Sequence, residues 1–137
     1  MTPLELVNCA IEAREHAYVP YSHFAVGAAL LTKDGKVYPG CNIENSSFGA
    51  TNCAERTAFF SAVYAGEREF EAIAIVGGPE GEPVHEICAP CGICRQVMRE
   101  FCNLKFKIYL SKGDGTYFAS SLSDMLPFSF SKEDLNQ

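Results

Sequence analysis

The placing of cysteines constrains this chain more than any other feature. Seven occur in 137 residues: Cys9, Cys41, Cys53, Cys88, Cys91, Cys94 and Cys102. The count is odd, and Glu5, Glu12, Arg14 and Glu15 lie inside the helical pattern at the N-terminus, so no secretory signal is read. A disulfide framework is therefore not expected. A cytosolic chain this rich in thiols more often uses some of them for metal binding or chemistry. Cys9 and Cys102 fall in or beside helical patterns, and Cys41 ends a strand pattern. These three read as buried thiols that behave as small hydrophobes. The informative set is Cys53, Cys88, Cys91 and Cys94.

The rest of the pattern sets the frame around them. Thr2 to about Tyr18 reads as a helix opened by Thr2-Pro3 and stopped by Pro20. Phe24–Leu31 and Val37–Cys41 read as strands joined by the hairpin turn Thr32-Lys33-Asp34-Gly35. A polar loop runs from Asn42 to Asn52. Cys53–Ala65 reads as a helix ended by Gly66. Glu71–Val76 is a buried strand, and the glycines and prolines of Gly77–Ile87 mark a loop. Cys91–Phe101 is a third helix. Lys105–Leu110 and Tyr117–Ala119 are strands about the turn Gly113-Asp114-Gly115. Ser121 and Asp124 suggest a capping box for a last short helix that Pro127 ends. This α-β-β-α-β-α-β-β-α order implies an α/β fold: one mixed five-stranded sheet covered by helices, in a single domain over residues 1–137.

Charge narrows the function classes. Eleven basic against 17 acidic residues leave a net charge of −6, without a Lys/Arg run, so no nucleic-acid partner is expected. No apolar stretch reaches the ~18 residues a membrane span needs, so no membrane partner is expected either. The expected location is the cytoplasm.

Cys91 and Cys94 lie three residues apart, about one helical turn, and so face the same side. If the two helix starts face each other, Cys53 adds a third thiol. Helix N-termini favour the thiolate. Three protein ligands and one open position are the pattern of a catalytic zinc site, and soft thiolates suit zinc. Glu55, two residues past Cys53, is placed to move protons beside the open position. Other readings of the same residues remain: a redox C-x-x-C pair, part of an iron–sulfur run, or a structural zinc closed by Cys88 as fourth thiolate. His16, His23 and His85 read as surface or packing residues.

Cys53-Ala54-Glu55 followed by Pro90-Cys91-x-x-Cys94 resembles the zinc-deaminase pattern. The likeness runs through nearly the whole chain and is to the cytidine deaminases. Tyr18-x-Pro20-Tyr21-Ser22-x-Phe24-x-Val26-Gly27-Ala28-Ala29-Leu30 is similar to their N-terminal signature, and Gly40-Cys41-Asn42-Ile43-Glu44-Asn45 to their ribose-reading segment. Cys53-Ala54-Glu55-Arg56-Thr57-Ala58 and Pro90-Cys91-Gly92-x-Cys94-Arg95-Gln96-Val97 resemble their zinc segments, and Leu126-Pro127 with Phe130 their tail. Three positions depart from the common family residue: Phe48 stands where tyrosine is frequent, Ala89 where serine is, and Ile93 where alanine is.

The resemblance implies a cytidine-deaminase-like α/β/α sandwich and hydrolytic deamination of cytidine and deoxycytidine in pyrimidine salvage. It implies one Zn2+ per chain on Cys53, Cys91 and Cys94, with Glu55 as proton shuttle. Phe24 would pack against the base, the backbone of Ala54 would contact it, and Asn42 and Glu44 would bind the ribose hydroxyls. Phe130 would reach into a neighbouring site in a homotetramer with shared active sites. Other outcomes are a deaminase of the same fold acting on another amino-nucleobase or a cytosine-type antibiotic, and a non-catalytic zinc module. A divalent ion with three thiolates is net negative, so positive potential must be restored for water to ionise there. Arg56 and Arg95, each directly after a site residue, are expected to tune that charge.

Overall fold

The computed structural model describes residues 1–135. Thr2 opens α1 (Pro3–Arg14): its side chain accepts from the Glu5 amide at 3.2 Å, and Glu5 Oε1 accepts from the Thr2 amide at 3.2 Å. This reciprocal cap, with Pro3 where no donor is needed, fixes the helix start. The helix stops at Arg14, four residues short of the expected Tyr18. Beyond it the amides of His16 and Ala17 bond only three residues back, and the Tyr18 amide donates to Asn42 O at 3.0 Å. Tyr18 thus pairs with Ile43 as extended backbone, the conformation that the approach to Pro20 favours.

The elements that follow are β1 (Phe24–Thr32), β2 (Val37–Cys41), α2 (Ala54–Tyr64), β3 (Phe70–Pro79), α3 (Gly92–Phe101), β4 (Lys107–Leu110), β5 (Phe118–Ser121), α4 (Leu122–Met125) and α5 (Lys132–Leu135). The strands form one mixed sheet in the order β2-β1-β3-β4-β5; β3 and β4 are parallel and the other pairs antiparallel. A parallel pair needs a crossover, and α3 lies in it. β4 and β5 begin later than expected, and the 3₁₀ turn Phe48–Ala50 and α5 were not foreseen. Ser121 Oγ accepts from the Asp124 amide at 3.3 Å, the N-cap half of the expected box.

Two cores flank the sheet. Leu6, Val7 and Ala10 of α1 pack on Ala29, Ala72, Ala74 and Val76. Ala54, Ala58, Phe59 and Ala62 of α2 and Met98 of α3 pack on Val26, Ala28, Leu30, Ile73, Ile75 and Ile108. The alternation of strand residues between these faces makes the three-layer α/β/α arrangement.

β3 also corrects the sequence reading. Gly77-Gly78-Pro79, expected within a loop, pair with Val26, Ala25 and Phe24 as strand. Gly77 is small because of packing, not turning: a Cβ there would lie 2.9 Å from Cys88 Sγ and 3.0 Å from Val26 Cγ2. Pro79, which lacks an amide donor, sits at the strand's last position.

Candidate active site

Cys53 and Cys91 occupy the N-cap positions of α2 and α3, with extended backbones. An N-cap side chain ordinarily accepts from the first turn. Neither thiol does so. Both turn toward each other, with Sγ atoms 3.8 Å apart, and the sulfur of Cys94, in the first turn of α3, completes a group whose atoms all lie within 4.8 Å of one another. Tetrahedral zinc with bonds of ~2.3 Å holds sulfurs ~3.8 Å apart, so the donor set fits that ion. Cys88 is outside the group, and the described residues contain no fourth sulfur, carboxylate or imidazole within it. Gly40 brings α2 to this position: a Cβ there would lie 2.4 Å from Ala54 O and 2.6 Å from the Ala58 amide nitrogen, so the helix start rests directly on β2.

Cys53 is held well below the ordinary thiol range, first by a hydrogen bond from Cys94 and then by Arg56. Cys94, which shares that proton, is pushed far up. Arg56 Nη2 donates to Cys53 Sγ at 3.2 Å, while its buried Nε finds no partner. Cys88, half-buried, has its pKa raised to about 11 by burial. It therefore stays a neutral thiol at pH 7.

Glu55 sits in the first turn of α2, only 4% exposed. Burial pushes its pKa up to about 7; the Cys53 charge adds to this, against hydrogen bonds from its own amide and Cys94. Ala54 is fully buried beside it, at the helix start where amides lack intrahelical partners. Arg95 lies elsewhere than expected. Its Nε donates to Pro90 O at 2.7 Å and its Nη1 to Met125 O at 2.6 Å, so it braces the approach to Cys91 against the tail.

The candidate substrate residues stand at the strand ends nearby. Phe24 opens β1, is 39% exposed, and lies on the Val26 face, toward α2 and α3. It lines a cavity of about 310 Å³ with Gly77, Gly78, Pro79 and His85–Ile87. Asn42 is occupied by that strand: its Oδ1 accepts from the Val26 amide and its Nδ2 donates to Phe24 O, both at 2.9 Å. Glu44 Oε1 accepts from the amides of Tyr21 and Ser22 at 3.0 and 3.1 Å, and hydrogen bonding with Ser22 lowers its pKa. Glu44 lines a second hollow, of about 360 Å³, with Tyr21, Ser22, Phe48 and Thr51. Sequence reasoning missed Tyr21 and Ser22 as Glu44 partners, because their amides carry no side-chain signature. Phe130 is exposed, with its carbonyl held by Gln96 Nε2 at 2.9 Å. His16, His23 and His85 are outside the metal group.

Three cysteine sulfurs on two helix starts, with a buried carboxyl group two residues from one of them, define a class: a metal-dependent hydrolase with three protein ligands among the described residues. Comparison with known proteins narrows it. Residues 2–110 match the family described as the cytidine and deoxycytidylate deaminase zinc-binding region. The chain is 56% identical over 132 residues to a cytidine deaminase of Sporosarcina psychrophila, covering 96% of this chain and 93% of that one. It is 53% identical over 131 residues to one of Halalkalibacterium halodurans, covering 96% of each. The crystal structure of cytidine deaminase from Burkholderia pseudomallei superimposes with a TM-score of 0.87 at 52% identity, covering 95% of this chain and 100% of that one. The chain belongs to the zinc-binding cytidine and deoxycytidylate deaminase family.

Proposed function

We propose that the chain catalyses the hydrolytic deamination of cytidine and deoxycytidine to uridine and deoxyuridine, releasing ammonia. The observation that carries this reading is the convergence of three sulfurs beside buried Glu55. Cys53, Cys91 and Cys94 would hold one zinc ion, which supplies Lewis acidity and makes water easier to deprotonate. Glu55 takes a proton from the attacking water and gives it to the ring nitrogen beside C4. It then takes the remaining proton of the hydroxyl now on C4 and delivers it to the exocyclic amino group. The bond from C4 to the exocyclic nitrogen breaks, ammonia leaves, and C4 keeps the oxygen as a carbonyl, in keeping with the known chemistry of zinc deaminases. A carboxyl group raised to about 7 exchanges protons readily near neutrality, which supports this role.

Phe24 stacks on the base and the Ala54 backbone contacts it. Glu44 binds a ribose hydroxyl through the oxygen that the Tyr21 and Ser22 amides do not use. Asn42 contributes the second N–H of its amide, since the first is spent on Phe24 O. Arg56 offsets the negative charge of the thiolates. Exposed Phe60, Tyr64, Phe128 and Phe130, together with the exposure of ligand Cys91 in the single chain, support a homotetramer in which Phe130 enters a neighbouring site. The substrate class fits pyrimidine salvage in the cytoplasm, and among the described residues no helix is long and apolar enough to cross a membrane.

The test is direct. Zinc-loaded protein mixed with cytidine should lose the cytidine ultraviolet absorbance and release one ammonia per uridine. Glu44→Ala should damage turnover of cytidine far more than that of free cytosine. A protein holding one zinc per chain that leaves cytidine and deoxycytidine intact would overturn the reading in favour of a structural zinc module. Sedimentation should give the mass of four chains.

A further inference from the structure

The cavity beside Phe24 has two walls, and one side chain outside it ties both. One wall is the first residue of β1; the other is the end of β3 and the segment through Ile87. Arg14, the last residue of α1, reaches to the ends of both strands. Its Nε donates to Ala25 O at 2.9 Å, directly after Phe24. Its Nη2 donates to Gly78 O at 3.0 Å, Pro79 O at 2.6 Å and Glu82 O at 3.4 Å. Gly78 and Pro79 line the cavity themselves, and their register partners are Ala25 and Phe24.

We propose that Arg14 is a positioning residue for deamination: it sets the gap between Phe24 and the opposing wall, and so the fit of the pyrimidine ring. The proposal rests on the cytidine reading above. Three features make Arg14 a gauge for that gap, not merely a filler. A planar guanidinium with several donors can bind carbonyls on two segments at once, whereas an ammonium is a point charge on a flexible stem. The base of the side chain has no play, because a Cβ on Gly27 would lie 2.4 Å from the Arg14 amide nitrogen and 2.8 Å from its Cα. The helix end is thus pressed onto β1. The β1–β3 ladder joins the two strands up to the Phe24–Pro79 pair, and the Glu80 amide donates to His23 O at 2.6 Å one residue further, whereas Arg14 also links these last pairs to the segment beyond, at Glu82 O.

Arg14 makes no hydrogen bond to a metal-ligand candidate, so its loss should be felt in substrate fit. Small misplacements of a binding wall can cost up to ~100-fold. Arg14→Met is expected to raise KM for cytidine about tenfold or more while kcat stays within about threefold, with one zinc per chain retained. Arg14→Lys should recover part of the loss. If Arg14→Met does not fold, Arg14→Gln is read by the same criterion. A lowered Tm with unchanged KM, or a fall in kcat at constant KM, would overturn the positioning role. A wild-type protein that holds zinc yet leaves cytidine intact would instead remove the reading on which it rests.

Discussion

Replacing Glu55 by glutamine separates two consequences of burying a carboxyl group next to thiolates. Glu55 is 4% exposed, and its pKa is raised from 4.5 to about 7, chiefly by burial. A group whose folded pKa is raised contributes stability that is fully present below its unfolded value and is lost as pH rises through the folded value. For the metal-free protein the window therefore runs from 4.5 to about 7. At ~1.4 kcal/mol per unit, the loss across it is about 3 kcal/mol. Glutamine has nearly the same shape and no charge to bury, so this pH dependence disappears with it. Urea unfolding of metal-free protein, at one protein concentration with chelator and reductant, reads the difference. The stability of Glu55→Gln relative to wild type should grow by roughly 2–3 kcal/mol between about pH 5 and about pH 8. The zinc-loaded variant should keep its metal and lose ~100-fold or more in turnover. A stability difference that stays flat across that range, or a fully active variant, would refute the reasoning.

Arg56→Ala removes the guanidinium 3.2 Å from Cys53 Sγ; zinc affinity, measured by chelator competition, should fall about tenfold, and the acidic limb of the pH–rate profile should move upward. Unchanged affinity together with an unchanged profile would sink the charge-tuning role. Cys88→Ala should retain one zinc per chain, because Cys88 lies outside the sulfur group and its thiol stays protonated to about pH 11. Loss of metal from that variant would make Cys88 the fourth ligand.

What could be read along the chain divides by range. The pair Cys91 and Cys94 was legible because one helical turn is a local distance, and Cys53-Ala54-Glu55 because a helix start is a local event. The frame was legible because each strand and helix carries its own period. Asn42 was legible only as a polar residue in the right segment. That its amide is committed to Phe24 O and Val26 N depends on β1 and β2 pairing, 16 to 18 residues apart. Arg14 was invisible for the same reason, since its acceptors lie 11 to 68 residues away. Gly77 looked like a loop residue because a glycine required by packing has the same letter as one required by a turn.

Arg56 and Arg95 show how a one-residue difference in position decides a role. Each directly follows a residue of the site, so adjacency alone gave both the same expectation. Counted from the N-cap cysteines, Arg56 is the third residue of α2, whereas the third residue of α3 is Cys94, and Arg95 is the fourth. Helical side chains lean toward the N-terminus, and the third position is the one whose side chain folds back over the N-cap. Arg56 therefore reaches the Cys53 sulfur, and Cys94 joins its sulfur to that of Cys91. One residue further is a rotation of about 100°. That rotation points Arg95 at Pro90 O and Met125 O instead. The equivalent position thus carries a sulfur of the metal group on one helix and a guanidinium beside that group on the other, and the two helix starts together bring three cysteine sulfurs to one guanidinium.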